Sequence, residues 1–171
     1  MTTGLQRTWV RITLTALTAA MMLLIFFFST ETAERSDKTS GTISKTVISV
    51  IHPDYEHYQA SKRKEIYDTV QHAVRKAAHF TEYMILGLLL RLCLESWFGK
   101  RKWLAPGAWL IGTLYAGTDE LHQILTDGRS GQWTDVLLDS SGVLTGVVLA
   151  LLILHVVRSS GKERKPENVC P

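Results

Sequence analysis

Three short stretches of this 171-residue chain set ionisable side chains at helical spacing inside otherwise apolar surroundings. His79, Glu82 and Tyr83 fall at i, i+3 and i+4 and share a helix face. Tyr115, Asp119, His122 and Gln123 share another, and Asp135 and Asp139 are one turn apart on a third. Imidazole and carboxylate are zinc-ligand types, which makes His79, Asp119 and His122, with Glu82 beside them, candidate metal ligands. A metal there would lower the pKa of its bound water to about 7 and direct it at an ester or phosphoester. Glu82, Glu120 and Asp135 are the candidate acid/base groups, with Glu120 turned about 100° from Asp119 on its helix. Arg75, Lys76 and Arg129 suit an anionic group such as phosphate. With Gln123, Tyr83 and Asp139 they complete the candidate substrate-binding set. The sequence has no His-Glu-x-x-His, Gly-x-Ser-x-Gly or Walker-type motif, so it names no reaction, and the cofactor stays unknown, with zinc as the candidate.

The elements that must position these residues are apolar blocks. Hydrophobic residues make up 46% of the chain and charged residues 20%, close to a soluble average, but the distribution is uneven. Four blocks, residues 9–29, 77–98, 103–125 and 136–157, are each near the 20 or so residues that cross a bilayer. Trp97, Trp103 and Trp133 sit at block ends, where amphipathic rings favour the membrane interface. The first block is long for a signal-peptide core and is not followed by an Ala-x-Ala site, so an uncleaved span is expected. Arg7 and Arg11, then Lys100, Arg101 and Lys102, then Arg158, Lys162, Arg164 and Lys165 all fall on one side. That side is cytoplasmic by the positive-inside rule. The net charge of +3 thus reads as topology, and no nucleic-acid partner is expected. Cys93 and Cys170 suggest no disulfide framework.

The expected fold is an all-α integral membrane protein with four transmembrane helices, N-in and C-in, plus an extracytoplasmic amphipathic helix. Residues 1–30 form the first span, 31–73 the outer loop with that helix, 74–157 a three-helix membrane core and 158–171 a cytoplasmic tail. Within the outer loop, residues 31–45 are Ser/Thr-rich and expected to be irregular. Residues 54–76 are expected to be helical, with Ile66, Val70, Ala73 and Ala77 as the apolar stripe.

This topology brings all three polar stretches to the outer face. A charge at mid-bilayer costs about 2.5–3.5 kcal/mol on insertion scales, so such residues default to a functional role. The alternative is a purely structural network in which Arg75, Lys76 and Arg129 neutralise the carboxylates and hold three helices in register. Small residues are the more economical fasteners, and the chain has them: Ala108, Gly112 and Ala116 form one stripe, and Gly142 and Gly146 another. Arg91 and Glu95, at i, i+4, read as a snorkelling structural pair near the inner end. No relay of polar residues runs through the inner halves of the spans, which speaks against an ion pathway.

The same residues carry a family resemblance. Arg75-Lys76-Ala77-Ala78-His79-Phe80-Thr81-Glu82-Tyr83 with Leu86-Gly87 resembles the first signature of the VanZ-like family. Asp119-Glu120-Leu121-His122-Gln123, then Gly128-Arg129, Asp135, Gly142 and Gly146, resembles the second. The likeness covers residues 74–152, and departs from the usual pattern at Asp139, where the family commonly has Asn. It implies a small integral membrane protein of the bacterial plasma membrane with an envelope role. The founding member is associated with low-level resistance to teicoplanin. The implied partner is a membrane lipid or lipid-linked wall precursor; the oligomeric state is not implied.

Overall fold

The computed structural model describes residues 2–30, 33–124 and 133–163. Among them are five helices and no strand: α1 (Thr2–Ser29), α2 (Ala33–Ile51), α3 (Ala60–Phe98), α4 (Leu104–Ile124) and α5 (Trp133–Glu163), with a 3-10 turn at Tyr55–His57. The all-helical expectation holds. Three helices are long and apolar enough to cross a bilayer, over Arg7–Ser29, Ala60–Phe98 and Trp133–Ser160. α4 has 21 residues but is not among them. Asp119, Glu120, His122 and Gln123 in its last turns dilute its apolar character.

α3 is the spine. Its 39 residues measure about 58 Å at 1.5 Å per residue, nearly twice the thickness of a hydrocarbon core. No proline interrupts it. It stops at Gly99, whose φ of 67° lies in the left-handed region and whose N–H closes on the Glu95 carbonyl at 2.9 Å. The sequence reading divided this helix into an outer amphipathic helix and a separate span; it is one continuous element.

α1 and α2 lie end to end along α3, antiparallel to it. Arg11 donates to the Ser96 carbonyl at 2.8 Å. Further along, Ile25 shares a buried cluster with Tyr83. On α2, a methyl group at Gly41 would stand 3.2 Å from the Tyr67 hydroxyl. The contacts therefore descend α3 as the chain ascends α1 and α2. The expectation of an irregular stretch at 31–45 is overturned from Ala33 onward by α2, whose buried face is Gly41, Ser44 and Ile48 at i, i+3 and i+7; residues 31 and 32 lie outside the described residues. Ser44 and Thr46 return their hydroxyls to carbonyls one turn back, which lets a Ser/Thr-rich segment remain helical. The predicted stripe on α3 is also displaced. Gln71 is buried and Ile66, Tyr67, Val70 and Val74 are half-buried, whereas Ala73 and Ala77 are exposed.

α5 packs most closely on α3. A side chain at Gly87 or Gly146 would strike the backbone of the facing helix, at Val143 and Met84 respectively, and one at Gly142 would reach the Phe80 carbonyl at 2.6 Å. α4 brings Ala108, Gly112 and Ala116, all buried, against this pair, with Gly112 opposite the Val143 side chain. The small-residue stripes are thus the helix contacts. The core they enclose contains Tyr83, Leu86, Leu90, Val143 and Val147. Leu23, Phe27, Leu110, Leu114, Leu121, Leu152 and Val156 point outward, an apolar surface suited to hydrocarbon.

The two ends carry different polar fastenings. At the Phe98 end, the Arg11 guanidinium lies over the Trp97 ring at 5.3 Å, and the Trp97 indole donates to Thr15 at 3.0 Å. Glu95 pairs with Arg91 at 2.6 Å and with Arg158 of α5. Arg91 is 3% exposed, so it does not snorkel as expected; it faces the bundle interior.

Candidate functional site

At the opposite end, α3, α4 and α5 bring carboxylates together around one tyrosine. Tyr83 is fully buried, and Asp119, Glu120 and Asp139 are 4%, 7% and 3% exposed. Each arrives for a local reason. Tyr83 sits one residue from Glu82 and three before Leu86 on the inward face of α3. Asp119 continues the Ala108-Gly112-Ala116 face of α4, which the small residues draw close to α5. Asp139 precedes Gly142 and Gly146 on the face of α5 that lies against α3.

The electrostatics are one-sided. The Asp139 carboxylate interacts with those of Asp119, Asp135, Glu120 and Glu82, all of the same sign. The Tyr83 hydroxyl lies near both Asp119 and Asp139. Oδ1 of Asp139 is buried there without a hydrogen-bond partner, while the Tyr83 hydroxyl faces the Asp119 side chain. Such an unpartnered atom costs about 1–3 kcal/mol relative to a satisfied one. Asp119 is better served, accepting from Gln123 Nε2 at 3.1 Å. Tyr115 packs its ring 6.4 Å from Tyr83 and donates its hydroxyl to the Met22 carbonyl of α1 at 2.6 Å.

The other sequence candidates are distributed around this centre. Lys76 and Asp135 form an ion pair at 3.1 Å between α3 and α5, each about one-third exposed, so a proposed anion ligand and a proposed base are joined to one another. His79 approaches Glu82 on its own helix, Nδ1 to Oε2 3.9 Å. His122 stacks on Phe26 of α1, ring centres 5.0 Å apart and planes 29° apart. Among the described residues no three His, Cys, Asp or Glu side chains stand together as a metal-holding group, and the set His79, Asp119 and His122 is not assembled into one. Arg75 lines a cavity further out along α3. Arg129 lies outside the described residues.

Two features escaped the sequence reading. Ser140, next to Asp139, accepts from the Trp109 indole at 3.1 Å and shares a hydrogen bond with Thr113 at 2.8 Å, tying α4 to α5 just below the acidic centre. Its placement one residue from a buried acid on an apolar helix was the available signal. The second is the outer cavity, about 280 Å³, bounded by Tyr67, Asp68, Gln71, His72 and Arg75. Those residues recur at i, i+1, i+4, i+5 and i+8, a polar stripe that hydrophobic periodicity does not seek.

No curated protein and no solved structure matches the chain. A family model described as VanZ/LLP1 matches residues 14–154, from within α1, through α2, to the second half of α5. That span includes both stretches that carry the resemblance, and it extends it to the long antiparallel pairing of α1–α2 with α3. With more than half of its length matched, the chain belongs to the VanZ/LLP1 family.

Proposed function

We propose that this protein is a four-span membrane protein of the bacterial cell envelope, with both termini cytoplasmic and the acidic centre opening toward the extracytoplasmic side. There it binds a lipid or lipid-linked envelope component and confers low-level tolerance to teicoplanin. The observation that carries the reading is the burial of Asp139, its Oδ1 unpartnered, beside Tyr83 and among the carboxylates of Asp119, Asp135, Glu120 and Glu82. Helix fastening is already supplied by Gly87, Gly142 and Gly146. Family membership supports the envelope role. α4 completes the four spans in this reading, its polar end placed at the membrane surface.

Binding is favoured over metal-dependent hydrolysis. Among the described residues no three His, Cys, Asp or Glu side chains stand together as a metal-holding group, and His122 stacks on Phe26. The competing structural role has its own support in the Lys76–Asp135 and Gln123–Asp119 contacts. The deciding experiment expresses wild type, Glu82→Gln and His122→Ala in a susceptible host at matched membrane levels and measures teicoplanin tolerance. Tolerance with wild type that is lost in both variants supports the proposal. Variants that match wild type at equal abundance refute a functional acidic centre, and no effect of wild type refutes the tolerance.

A further inference from the structure

The acidic centre lacks a counter-charge where it is most deeply buried. Asp135, at its rim and one-third exposed, has Lys76 at 3.1 Å. One turn inward, about 6 Å along α5, Asp139 is 3% exposed and its Oδ1 has no hydrogen-bond partner. It lies among the carboxylates of Asp119, Glu120 and Glu82. Asp119 is itself buried, and its contacts are the neutral Gln123 amide and the Tyr83 hydroxyl. Among the described residues neither Asp119 nor Asp139 stands in an ion pair. A buried carboxylate is best satisfied by a cation that also donates hydrogen bonds. No three His, Cys, Asp or Glu side chains stand together among the described residues as a metal would require. An ammonium group, with three N–H donors, is served by two carboxylates and a neighbouring oxygen. Tyr83 and Tyr115 both lie beside Asp119, and aromatic rings attract an ammonium as well.

We infer that the acidic centre takes the primary ammonium of a lipid-borne amine, held between the Asp139 and Asp119 carboxylates beside Tyr83. The ammonium supplies the donor that Asp139 Oδ1 lacks and a positive charge for two buried acids that have none. Depth sets the shape of the ligand. From the Asp135 rim the amine reaches about one helical turn inward, so it stands at the end of an arm. It carries no anion close to the nitrogen, because Glu82, Asp119 and Glu120 would repel one. Leu121, next to Glu120, and Leu137, between Asp135 and Asp139, are 62% and 70% exposed and offer apolar surface to the lipid chain. The inference rests on the reading of this centre as a ligand site and names the chemistry of what it binds.

The test places the full chain in phosphatidylcholine nanodiscs and titrates dodecylamine, dodecyltrimethylammonium, dodecanol and propylamine by calorimetry against empty nanodiscs. The unfolding midpoint is followed alongside. Saturable binding of one dodecylamine per chain is expected, with a raised midpoint. It should be at least about tenfold tighter than the quaternary amine, which has no N–H, and than the uncharged alcohol. Asp139→Asn and Asp119→Asn should each weaken dodecylamine at least about tenfold, and the second variant decides if the first misfolds. Asp68→Asn, an exposed carboxylate further out on α3, should change nothing. Equal binding of the quaternary amine, undiminished binding in a folded Asp139→Asn or Asp119→Asn protein, or absence of saturable binding would overturn the inference. Propylamine binding as tightly as dodecylamine would also overturn it, showing a site for a free amine. Teicoplanin tolerance does not enter this readout. Tolerance that depends on Asp139 in a protein that binds no amine would remove this inference and leave the proposed function standing.

Discussion

Alanine substitution of the glycines separates backbone contact from mere helix composition. At Gly146 an added methyl meets the backbone of Met84 and Leu88, which cannot move without shifting α3 as a whole. Overpacking of this kind costs about 1–3 kcal/mol, against which a helical Gly→Ala change recovers up to about 1 kcal/mol of propensity. The net expectation for Gly146→Ala is a loss of about 1–2 kcal/mol, and Gly87→Ala should behave alike because it faces the backbone of Val143. At Gly112 the methyl meets the Val143 side chain, 2.6 Å from its nearest carbon, so the loss there should be smaller. Gly117 has nothing within 4 Å, and its alanine variant should be neutral or more stable by up to about 1 kcal/mol. Thermal unfolding in one detergent should order the variants Gly117, Gly112, Gly146 from most to least stable. Near 2–4 °C per kcal/mol for a chain of about this size, Gly146→Ala should lose several degrees. Gly146→Ala as stable as wild type, or Gly117→Ala as damaging as Gly146→Ala, would refute the close α3–α5 packing.

Three further outcomes are expected. The Lys76–Asp135 pair is about one-third exposed, so a double-mutant cycle with Lys76→Met and Asp135→Asn should give a coupling of no more than about 1 kcal/mol, whereas several kcal/mol would make it a buried structural bridge. Arg91→Leu should leave Glu95 buried beside Arg158 alone and lower membrane abundance or stability by about 3–5 kcal/mol, partly rescued by Glu95→Leu; an unchanged Arg91→Leu protein would contradict the buried pair. A cysteine introduced at Lys64 should react with a membrane-impermeant thiol reagent in intact cells while one at Arg101 should not, in a background with Cys93→Ala and Cys170→Ala; the opposite pattern would invert the proposed orientation.

Much of the arrangement was legible because it rests on spacing. Ala108, Gly112 and Ala116, and Gly142 and Gly146, declared the close-packed faces, and Asp119 and Asp139 fall in line with them, so the convergence of carboxylates followed. Spacing gives the face of one helix and not its rotation against the next, which is why the stacking of His122 on Phe26 of α1 was not legible. α2 was illegible because its buried face, Gly41, Ser44 and Ile48, is small and mostly polar. The stripe on α3 was misplaced for a related reason. Alanines at 73 and 77 mark a helix without saying which side is covered, and the side that is covered carries Gln71. Charge near the end of α4 weakened its composition as a span while supplying its chemistry.

The central claim is that the acidic centre is kept for a ligand at the expense of stability, and Asp139→Asn tests it most directly. The substitution preserves shape and removes a buried carboxylate whose Oδ1 has no hydrogen-bond partner and which lies among those of Asp119, Asp135, Glu120 and Glu82. Unfolding stability and teicoplanin tolerance should be measured on the same preparations, with Tyr83→Phe alongside. Stability equal to or above wild type, by up to about 1–3 kcal/mol, together with lost tolerance, is the predicted result. A less stable Asp139→Asn protein that retains tolerance would contradict the claim and leave the centre as helix fastening alone.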